Sequence, residues 1–287
     1  MNYTELPLPF SLEDEALLGV AAIPETPRDC GVLVVVGGPQ YRAGSHRQFL
    51  LLSRRLAGEG YPVLRFDCRG MGDSGGTMRS FEDLSGDIGA AIDAFQRQCP
   101  QLRRYVLWGL CDAASAILIY LHATGDVRID GIVLLNPWVR SDEGLAQTHI
   151  KHYYGQRLMQ REFWSKLFSG KLNVASSLLG LLKTARKARQ KTDDPNRVNR
   201  ANHALSFRDR MTEGLKLFRG EVLLILSERD YTAREFIEYS SIHPAWSGLL
   251  KDGKVCKVEM PDADHTFSSA AWRAGVEDET LHWLTRV

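Results

Sequence analysis

Three residues of the 287-residue chain have the types and the chain order that covalent acyl chemistry requires. The first is Cys111, which follows the short apolar run Tyr105–Trp108 and precedes a helical pattern that starts near Asp112. A sharp turn between a strand and a helix exposes a catalytic nucleophile, and the residues that flank it must be small. Small residues stand at the flanking positions Gly109, Ala113 and Ala114. The pattern therefore predicts that Cys111 is a nucleophile.

Three features of this turn set its chemistry. It departs from the usual G-x-S-x-G pattern, with cysteine in place of serine and Ala113 in place of the last glycine. The helix that follows points its N–H groups and its positive end at the sulfur, which favours the thiolate. Asp112 acts in the opposite direction, because a carboxylate disfavours a second negative charge nearby, and we expect its side chain to point away from the nucleophile. The remaining cysteines lack this setting and are interpreted as structural: Cys30, Cys68, Cys99 and Cys256.

A thiol nucleophile needs a base, and the base needs a carboxylate that orients it. Asp230 follows the apolar run Glu221–Leu226, and His265 follows the run Val255–Met260. Nucleophile, acid and histidine then come in the chain order typical of such a turn. Because the loops after parallel strands open at the same edge of a sheet, we expect these side chains to meet there. Glu228 is the alternative acid, and the remaining histidines are interpreted as surface residues or residues of an inserted segment.

A tetrahedral intermediate needs backbone N–H groups that bind its oxyanion. The amide of Asp112 is one expected donor, and a second is expected in the loop after the apolar run Val32–Val36. Pro39 in that loop has no N–H group, which leaves Gly38 or Gln40. We favour Gly38, because a pair of glycines lets the backbone approach a substrate oxygen closely. Gln40 is placed among the expected substrate-binding residues.

Short apolar runs alternate with helical patterns along most of the chain, which predicts an α/β fold with a mostly parallel sheet and helices on both faces. The predicted strands are Gly31–Val36, Tyr61–Phe66, Tyr105–Trp108, Gly131–Leu135, Glu221–Leu226 and Val255–Met260. The predicted helices are Gln48–Gly58, Asp83–Gln98, one that starts near Asp112, and Val276–Leu284. The core is expected to comprise residues 1–136 and 219–287.

The alternation stops between residues 137 and 218, which we interpret as a helical cap inserted in the core and covering the active site. Its aromatic residues are expected mainly to form the cap's own small core: Tyr153, Tyr154, Phe163, Trp164 and Phe168. Trp138 directly follows a strand end and is the expected contributor to a mainly apolar substrate pocket. The basic run Lys183–Lys191 fits a solvated cap face better than a contact for a phosphate-bearing carrier.

Composition gives the expected setting of the protein. The formal net charge is +1, so the chain has no overall attraction to nucleic acid or to acidic membranes. Five cysteines without a C-x-x-C pair indicate reduced thiols and a cytoplasmic protein. Neither a signal peptide nor a transmembrane segment is expected. A small-molecule acyl substrate is the expected partner, without a cofactor or a metal, and the sequence names no protein partner.

The combination of these motifs resembles the α/β-hydrolase superfamily. The string D-x-R-G-x-G-x-S at Asp67–Ser74 is common there, and we assign it a structural role in tying loops together. The Gly-Gly-Pro loop is similar to that of proline iminopeptidases, and dienelactone hydrolases are similar in carrying a cysteine at this turn. The stretch Val36–Gln48 together with the cysteine turn resembles the first of two hydrolases encoded with bacterial exosortase systems, which sort proteins and make exopolysaccharide. That resemblance implies a cytoplasmic bacterial enzyme.

Three functions remain open at this point. The leading one is hydrolysis of an ester or thioester through Cys111, His265 and Asp230 and an acyl-enzyme. The second is acyl transfer from a thioester donor, as in polyester synthases, which resemble the chain in their cysteine. The third is a non-catalytic binding or scaffold protein of the exosortase system. The presence of nucleophile, acid and histidine together favours catalysis, because a scaffold needs none of them.

Overall fold

A computed structural model describes residues 2–140 and 205–287. The strands in these ranges form one eight-stranded sheet in the order β1-β2-β4-β3-β5-β6-β7-β8. They are β1 (Tyr3–Leu12), β2 (Glu15–Pro24), β3 (Cys30–Val35), β4 (Val63–Phe66), β5 (Arg104–Leu110), β6 (Ile129–Leu135), β7 (Glu221–Ser227) and β8 (Val255–Met260). Strand β2 is antiparallel to both of its neighbours, and every other neighbouring pair is parallel. The predicted α/β class with a mostly parallel sheet is confirmed.

The α-helices within the described ranges cover both faces of this sheet. They are α1 (Gln48–Gly58), α2 (Ser85–Gln98), α3 (Asp112–Thr124), α4 (Phe207–Leu217), α5 (Tyr231–Ile242), α6 (Pro244–Leu249) and α7 (Ala270–Leu284). Two short 3₁₀ helices, Ser45–Arg47 and Phe81–Asp83, precede α1 and α2. Within the same ranges, no helix combines the length and the apolar character that a bilayer crossing demands.

Strand β3 shows why the central strands are continuously apolar. Each of its residues is buried. Val32 belongs to the core cluster that contains Phe49 of α1, whereas Leu33 belongs to the cluster that contains Ile88 of α2. Because successive side chains of a strand point to opposite faces, a strand covered by helices on both sides needs apolar residues at every position. The continuous apolar run that predicted this strand therefore follows from the two-sided core.

A hairpin that the sequence patterns did not predict begins the sheet. Strands β1 and β2 pair in register over their whole length. β1 is an edge strand in which half of the residues are exposed and one, Phe10, is buried. Pro7 and Pro9 are compatible with this position because an edge strand can leave N–H positions unpaired. The same prolines weaken the strand pattern in the sequence.

The chain divides into two compact units, one made of residues 1–139 and 207–287 and the other of residues 140–206. Helix α4 belongs to the first unit and packs closely on α3: a Cβ on Gly214 would lie 2.0 Å from the backbone oxygen of Leu118. The cap between residues 137 and 218 stays a prediction, because most of it lies outside the described residues. The cap aromatic residues and the basic run Lys183–Lys191 lie outside them as well.

Candidate active site

Cys111 stands between β5 and α3, at the carboxyl end of a central strand. Its backbone has φ 62° and ψ −122°, a conformation that residues with side chains adopt rarely and mainly at functional turns. Two backbone hydrogen bonds fix the turn. The N–H of Cys111 donates to the oxygen of Leu135 at 2.8 Å, and the oxygen of Cys111 accepts the N–H of Trp138 at 3.2 Å. The thiol is half-buried. These features are those of a nucleophile elbow.

Small residues allow α3 to start this close to the sheet. A Cβ on Gly109 would lie 2.9 Å from the backbone carbon of Ala113 and 2.8 Å from the side chain of Ile117. Ala113 and Ala114 are fully buried at the beginning of α3. A larger residue at any of these positions would push the helix away from Cys111, which is the physical reason for the predicted pattern.

Asp230 and His265 form a hydrogen-bonded pair beyond the carboxyl ends of β7 and β8. His265 Nδ1 lies 2.8 Å from Asp230 Oδ2. The same carboxylate oxygen accepts the N–H of Ala233 at 3.0 Å, so Asp230 also caps the N-terminus of α5. The backbone and the imidazole therefore fix this carboxylate from two directions.

These contacts change the proton affinities of both groups. The hydrogen bond to Asp230, followed by the hydrogen bond to Cys111, raises the pKa of His265 to about 10. Burial works to raise the pKa of Asp230, but the hydrogen bond and charge of His265 outweigh it and lower that pKa below its usual value. His265 thus contacts both Cys111 and Asp230, and the structure brings the three predicted residues together.

Glu228, the alternative acid, has a different position. It is exposed, and its backbone oxygen accepts a hydrogen bond from Arg234 Nε at 2.9 Å. Within residues 2–140 and 205–287, the carboxylate that hydrogen-bonds to His265 belongs to Asp230. The sequence left both acids open because both follow the same strand within three residues.

Asn136, which the sequence analysis used only as a domain boundary, connects the loops that carry the acid and the base. It is fully buried and has φ 44°. Its Nδ2 donates to Ser227 Oγ at 2.9 Å and to the backbone oxygen of His265 at 3.3 Å, while its Oδ1 accepts the N–H of Ser227 at 2.9 Å. Asn136 is therefore a positioning residue. A polar residue directly after the apolar run Gly131–Leu135 was the available signal.

The loop expected to supply the second oxyanion donor is already hydrogen-bonded. The N–H of Gly38 donates to Asp112 Oδ2 at 2.7 Å, and the N–H of Gln40 donates to the oxygen of Gly38 at 2.8 Å. The sequence analysis expected the Asp112 side chain to point away from the nucleophile, whereas the structure directs it to the Gly38 loop. Folding brings the loop after β3 within hydrogen-bond distance of the Asp112 side chain. The linear sequence gives no sign of this proximity.

The Asp67–Ser74 string ties the same loop to the body of the protein, as the sequence analysis expected. Asp67 is fully buried, forms an ion pair with Arg42, and accepts the N–H groups of Arg42 and Asp73 at 2.7 and 3.0 Å. Arg69 forms a second ion pair with Asp87 of α2 at 2.9 Å. Each buried charge therefore has a partner, as stability requires, and the loop after β3 is held in place.

Trp138 and Gln40, the two expected substrate contacts, lie beside this machinery. Both are half-buried. The backbone of Trp138 contacts Cys111, and its oxygen accepts a hydrogen bond from Ser115 Oγ at 2.7 Å. The predicted pocket under the cap involves residues outside the described ranges. Over the described part of the chain, no three His, Cys, Asp or Glu side chains are grouped as a metal site requires.

A family model described as "Serine aminopeptidase, S33" matches residues 29–232, a range that includes the elbow and Asp230. No curated protein matches the chain.

Solved structures share the fold over nearly the whole chain. The esterase Pf2001 of Pyrococcus furiosus has a TM-score of 0.63 at 18% identity, over 99% of this chain and 92% of its own. The dienelactone hydrolase of Anabaena variabilis has a TM-score of 0.61 at 13% identity, over 100% and 99%. Est1E of Butyrivibrio proteoclasticus, with ferulic acid bound, has a TM-score of 0.60 at 14% identity, over 97% and 98%. At these identities the likeness shows the fold alone.

Proposed function

This chain belongs to the serine aminopeptidase S33 family of α/β-hydrolases, and we propose that it hydrolyses an ester or thioester with Cys111 as the nucleophile. The observation that carries the proposal is the contact of an elbow cysteine at φ 62° with a histidine whose Nδ1 lies 2.8 Å from a carboxylate. In this proposal His265 transfers the protons and Asp230 orients and stabilises its imidazolium.

In the acylation step, the Cys111 thiolate forms a bond to the acyl carbon, and the carbonyl oxygen becomes an oxyanion. The oxyanion then collapses as the bond to the leaving oxygen or sulfur breaks, and the imidazolium of His265 gives its proton to that atom. The raised pKa of His265 suits this role because the ring keeps its proton at neutral pH. The leaving group departs neutral, and the acyl group remains on Cys111.

In the deacylation step, the now neutral His265 takes a proton from water while the water oxygen attacks the acyl carbon. Collapse of the second tetrahedral intermediate expels the Cys111 thiolate and releases the acid. The Asp230 carboxylate stabilises the positive charge that appears on the imidazole. It also holds Nδ1 in a hydrogen bond, so the other ring nitrogen faces the reacting atoms. The proposed oxyanion donors are the N–H groups of Asp112 and Gly38, and Trp138 and Gln40 are the proposed substrate contacts.

Esters and thioesters fit a thiolate nucleophile better than amides do. A thiolate is itself a good leaving group, so the tetrahedral intermediate can either expel the Cys111 sulfur and return to substrate or expel the leaving group of the substrate. An alcohol or a thiol competes with the sulfur in this step better than an amine does. The esterase and hydrolase names of the structural neighbours support the same substrate class.

The proposed setting is the cytoplasm of a bacterium with an exosortase system. The resemblance of the Val36–Gln48 loop and the cysteine elbow supports this association. Five free cysteines support a reducing compartment.

A panel of p-nitrophenyl esters and acyl-thioesters tests the proposal on the wild type, Cys111→Ala and the matched control Cys256→Ser. We expect turnover by the wild type and the control and none by Cys111→Ala. Transfer of the acyl group to an added alcohol or thiol, without release of free acid, would instead show an acyltransferase. Equal turnover by Cys111→Ala would overturn the nucleophile, and no turnover of any substrate by the wild type would favour a binding protein.

A further inference from the structure

The side chain of Asp112 binds one of the two N–H groups that were expected to bind a substrate oxyanion, that of Gly38. Its Oδ2 accepts the N–H of Gly38 at 2.7 Å. The carboxylate lies at the start of α3, where the N–H groups of Asp112 and Ala113 also favour its charged form. A carboxylate oxygen and a tetrahedral oxyanion are both anionic acceptors, so the same donors suit both. Asp112 therefore occupies the Gly38 side of the expected oxyanion hole from within the protein.

Gly37 shows that this position of the carboxylate is built into the loop. A Cβ on Gly37 would lie 2.1 Å from Asp112 Oδ1 and 2.6 Å from the nitrogen of Ala113. A residue without a side chain is therefore needed to make room for the carboxylate. Burial raises the pKa of the Asp112 carboxyl, because removal from water disfavours the charged form. The half-buried carboxylate thus has a desolvation cost that its N–H partners offset in part.

We propose that Asp112 is a specificity-determining residue of the acyl reaction: its carboxylate holds the oxyanion amides until a neutral acyl oxygen displaces it, and it disfavours anionic acyl groups. The reaction itself is the proposed function, on which this assignment rests. During displacement the side chain releases the N–H of Gly38, and the carbonyl oxygen accepts the N–H groups of Gly38 and Asp112. An anionic acyl group must also approach a like charge in a partly buried site, which is unfavourable.

Two alkylating reagents of nearly equal size test this occupation without acyl chemistry. Iodoacetamide is neutral, whereas iodoacetate carries a carboxylate beside the reacting carbon, and each transfers that carbon to a thiolate with loss of iodide. The carboxylate of iodoacetate can use the oxyanion amides only after Asp112 has left them. Rates at Cys111 are measured by peptide mass mapping in a Cys256→Ser background, which removes the other half-buried thiol.

We expect the ratio of the iodoacetate rate to the iodoacetamide rate to rise at least about tenfold in Asp112→Ala, because the competing charged acceptor is gone. Asp112→Asn keeps an acceptor without the charge and should give an intermediate ratio. It also serves as the neutral isostere should the alanine variant fail to fold. Glu228→Gln removes an exposed carboxylate after β7 and should leave the ratio at the wild-type value. Equal ratios in the wild type and both Asp112 variants would overturn the proposal.

The burst of p-nitrophenol from p-nitrophenyl butyrate separates this proposal from the proposed function. We expect the burst rate to rise about tenfold in Asp112→Ala, as the acyl oxygen no longer competes with the carboxylate. A raised alkylation ratio without a burst in any variant would keep Asp112 in the oxyanion amides and overturn ester hydrolysis. The opposite outcome is a normal burst in the wild type, with no change in the burst or in the alkylation ratio in Asp112→Ala. That result would overturn the assignment of Asp112 and leave the proposed function intact.

Discussion

The five cysteines differ in burial and in their neighbours. Burial raises the pKa of Cys30 and of Cys99 to about 11, and it raises the pKa of Cys68 well above its usual value. These three thiols are buried and stay protonated near neutral pH. Cys111 and Cys256 are half-buried, and Cys111 also contacts the imidazole of His265. At the scale of single residues, burial and the contact with His265 therefore distinguish Cys111 from the other cysteines.

Replacement of Cys111 by serine is predicted to lower turnover by at least about 100-fold, although the change is a single atom. A hydroxyl is a far weaker acid than a thiol, so the His265 base must remove a proton that the thiol gives up readily. The measurement is kcat on p-nitrophenyl butyrate, with Cys256→Ser as the control that should keep wild-type turnover. Wild-type kcat in Cys111→Ser would show that the thiol has no special role.

Replacement of Asp230 by asparagine is predicted to reduce kcat by about 10²–10⁴-fold, because the imidazole loses the carboxylate that orients it. The pKa of His265 should fall from its raised value of about 10 at the same time. NMR titration of the His265 ring, together with kcat, measures both effects. Glu228→Gln is the matched control and should change neither. A larger loss in Glu228→Gln than in Asp230→Asn would reverse the assignment of the acid.

At the scale of helices and strands, continuous apolar runs predicted β3, β5, β6 and β7 because nearly every residue of these strands is buried. The run that predicted β8 is interrupted by Lys257 and Glu259, and this strand, at the end of the described sheet, has no buried residue. The β1–β2 hairpin gave no such signal, since β1 is a half-exposed edge strand with two prolines. Chain order predicted Asp230 and His265 as acid and base, and these two residues form a hydrogen-bonded pair in the structure. The roles of Asn136 and of the Asp112 side chain could not be predicted, because each depends on contacts with a loop more than 70 residues away in the chain.

Asn136→Asp tests the connection between the ends of β6, β7 and β8. Aspartate preserves the shape but removes the Nδ2 donor, so Ser227 Oγ and the oxygen of His265 lose a partner in a buried site. We expect a loss of about 1–3 kcal/mol in the free energy of unfolding, together with a lower kcat. Urea unfolding measures the first quantity. A double-mutant cycle with Ser227→Ala should show coupling, and strictly additive effects would contradict a shared network.

At the scale of the whole molecule, the site exists only because one sheet orders five loops. The site residues come from the carboxyl ends of β3, β5, β6, β7 and β8, which are five consecutive strands of the sheet. Their side chains meet only when these parallel strands are in register. The protonation of His265 is therefore linked to folding of the entire core.

This linkage predicts how stability changes with pH. Folding raises the pKa of His265 from its ordinary 6.5 to about 10, so the native state holds this proton more tightly than the unfolded chain. The resulting stabilisation is fully present below pH 6.5 and is lost as pH rises through about 10. Between these pH values, we expect the Tm of the wild type to fall more steeply than that of His265→Gln. Parallel Tm curves would contradict the raised pKa.

Trapping of the acyl-enzyme tests the proposed nucleophile most directly. The wild type is mixed with p-nitrophenyl butyrate, quenched with acid during the burst and digested for peptide mass mapping, with Cys111→Ala and Cys256→Ser treated in parallel. We predict a single butyryl group on the peptide that contains Cys111 in the wild type and in Cys256→Ser, and none in Cys111→Ala. Release of butyrate by an enzyme whose Cys111 stays unmodified at every quench time, with Cys111→Ala equally active, would contradict catalysis by this cysteine.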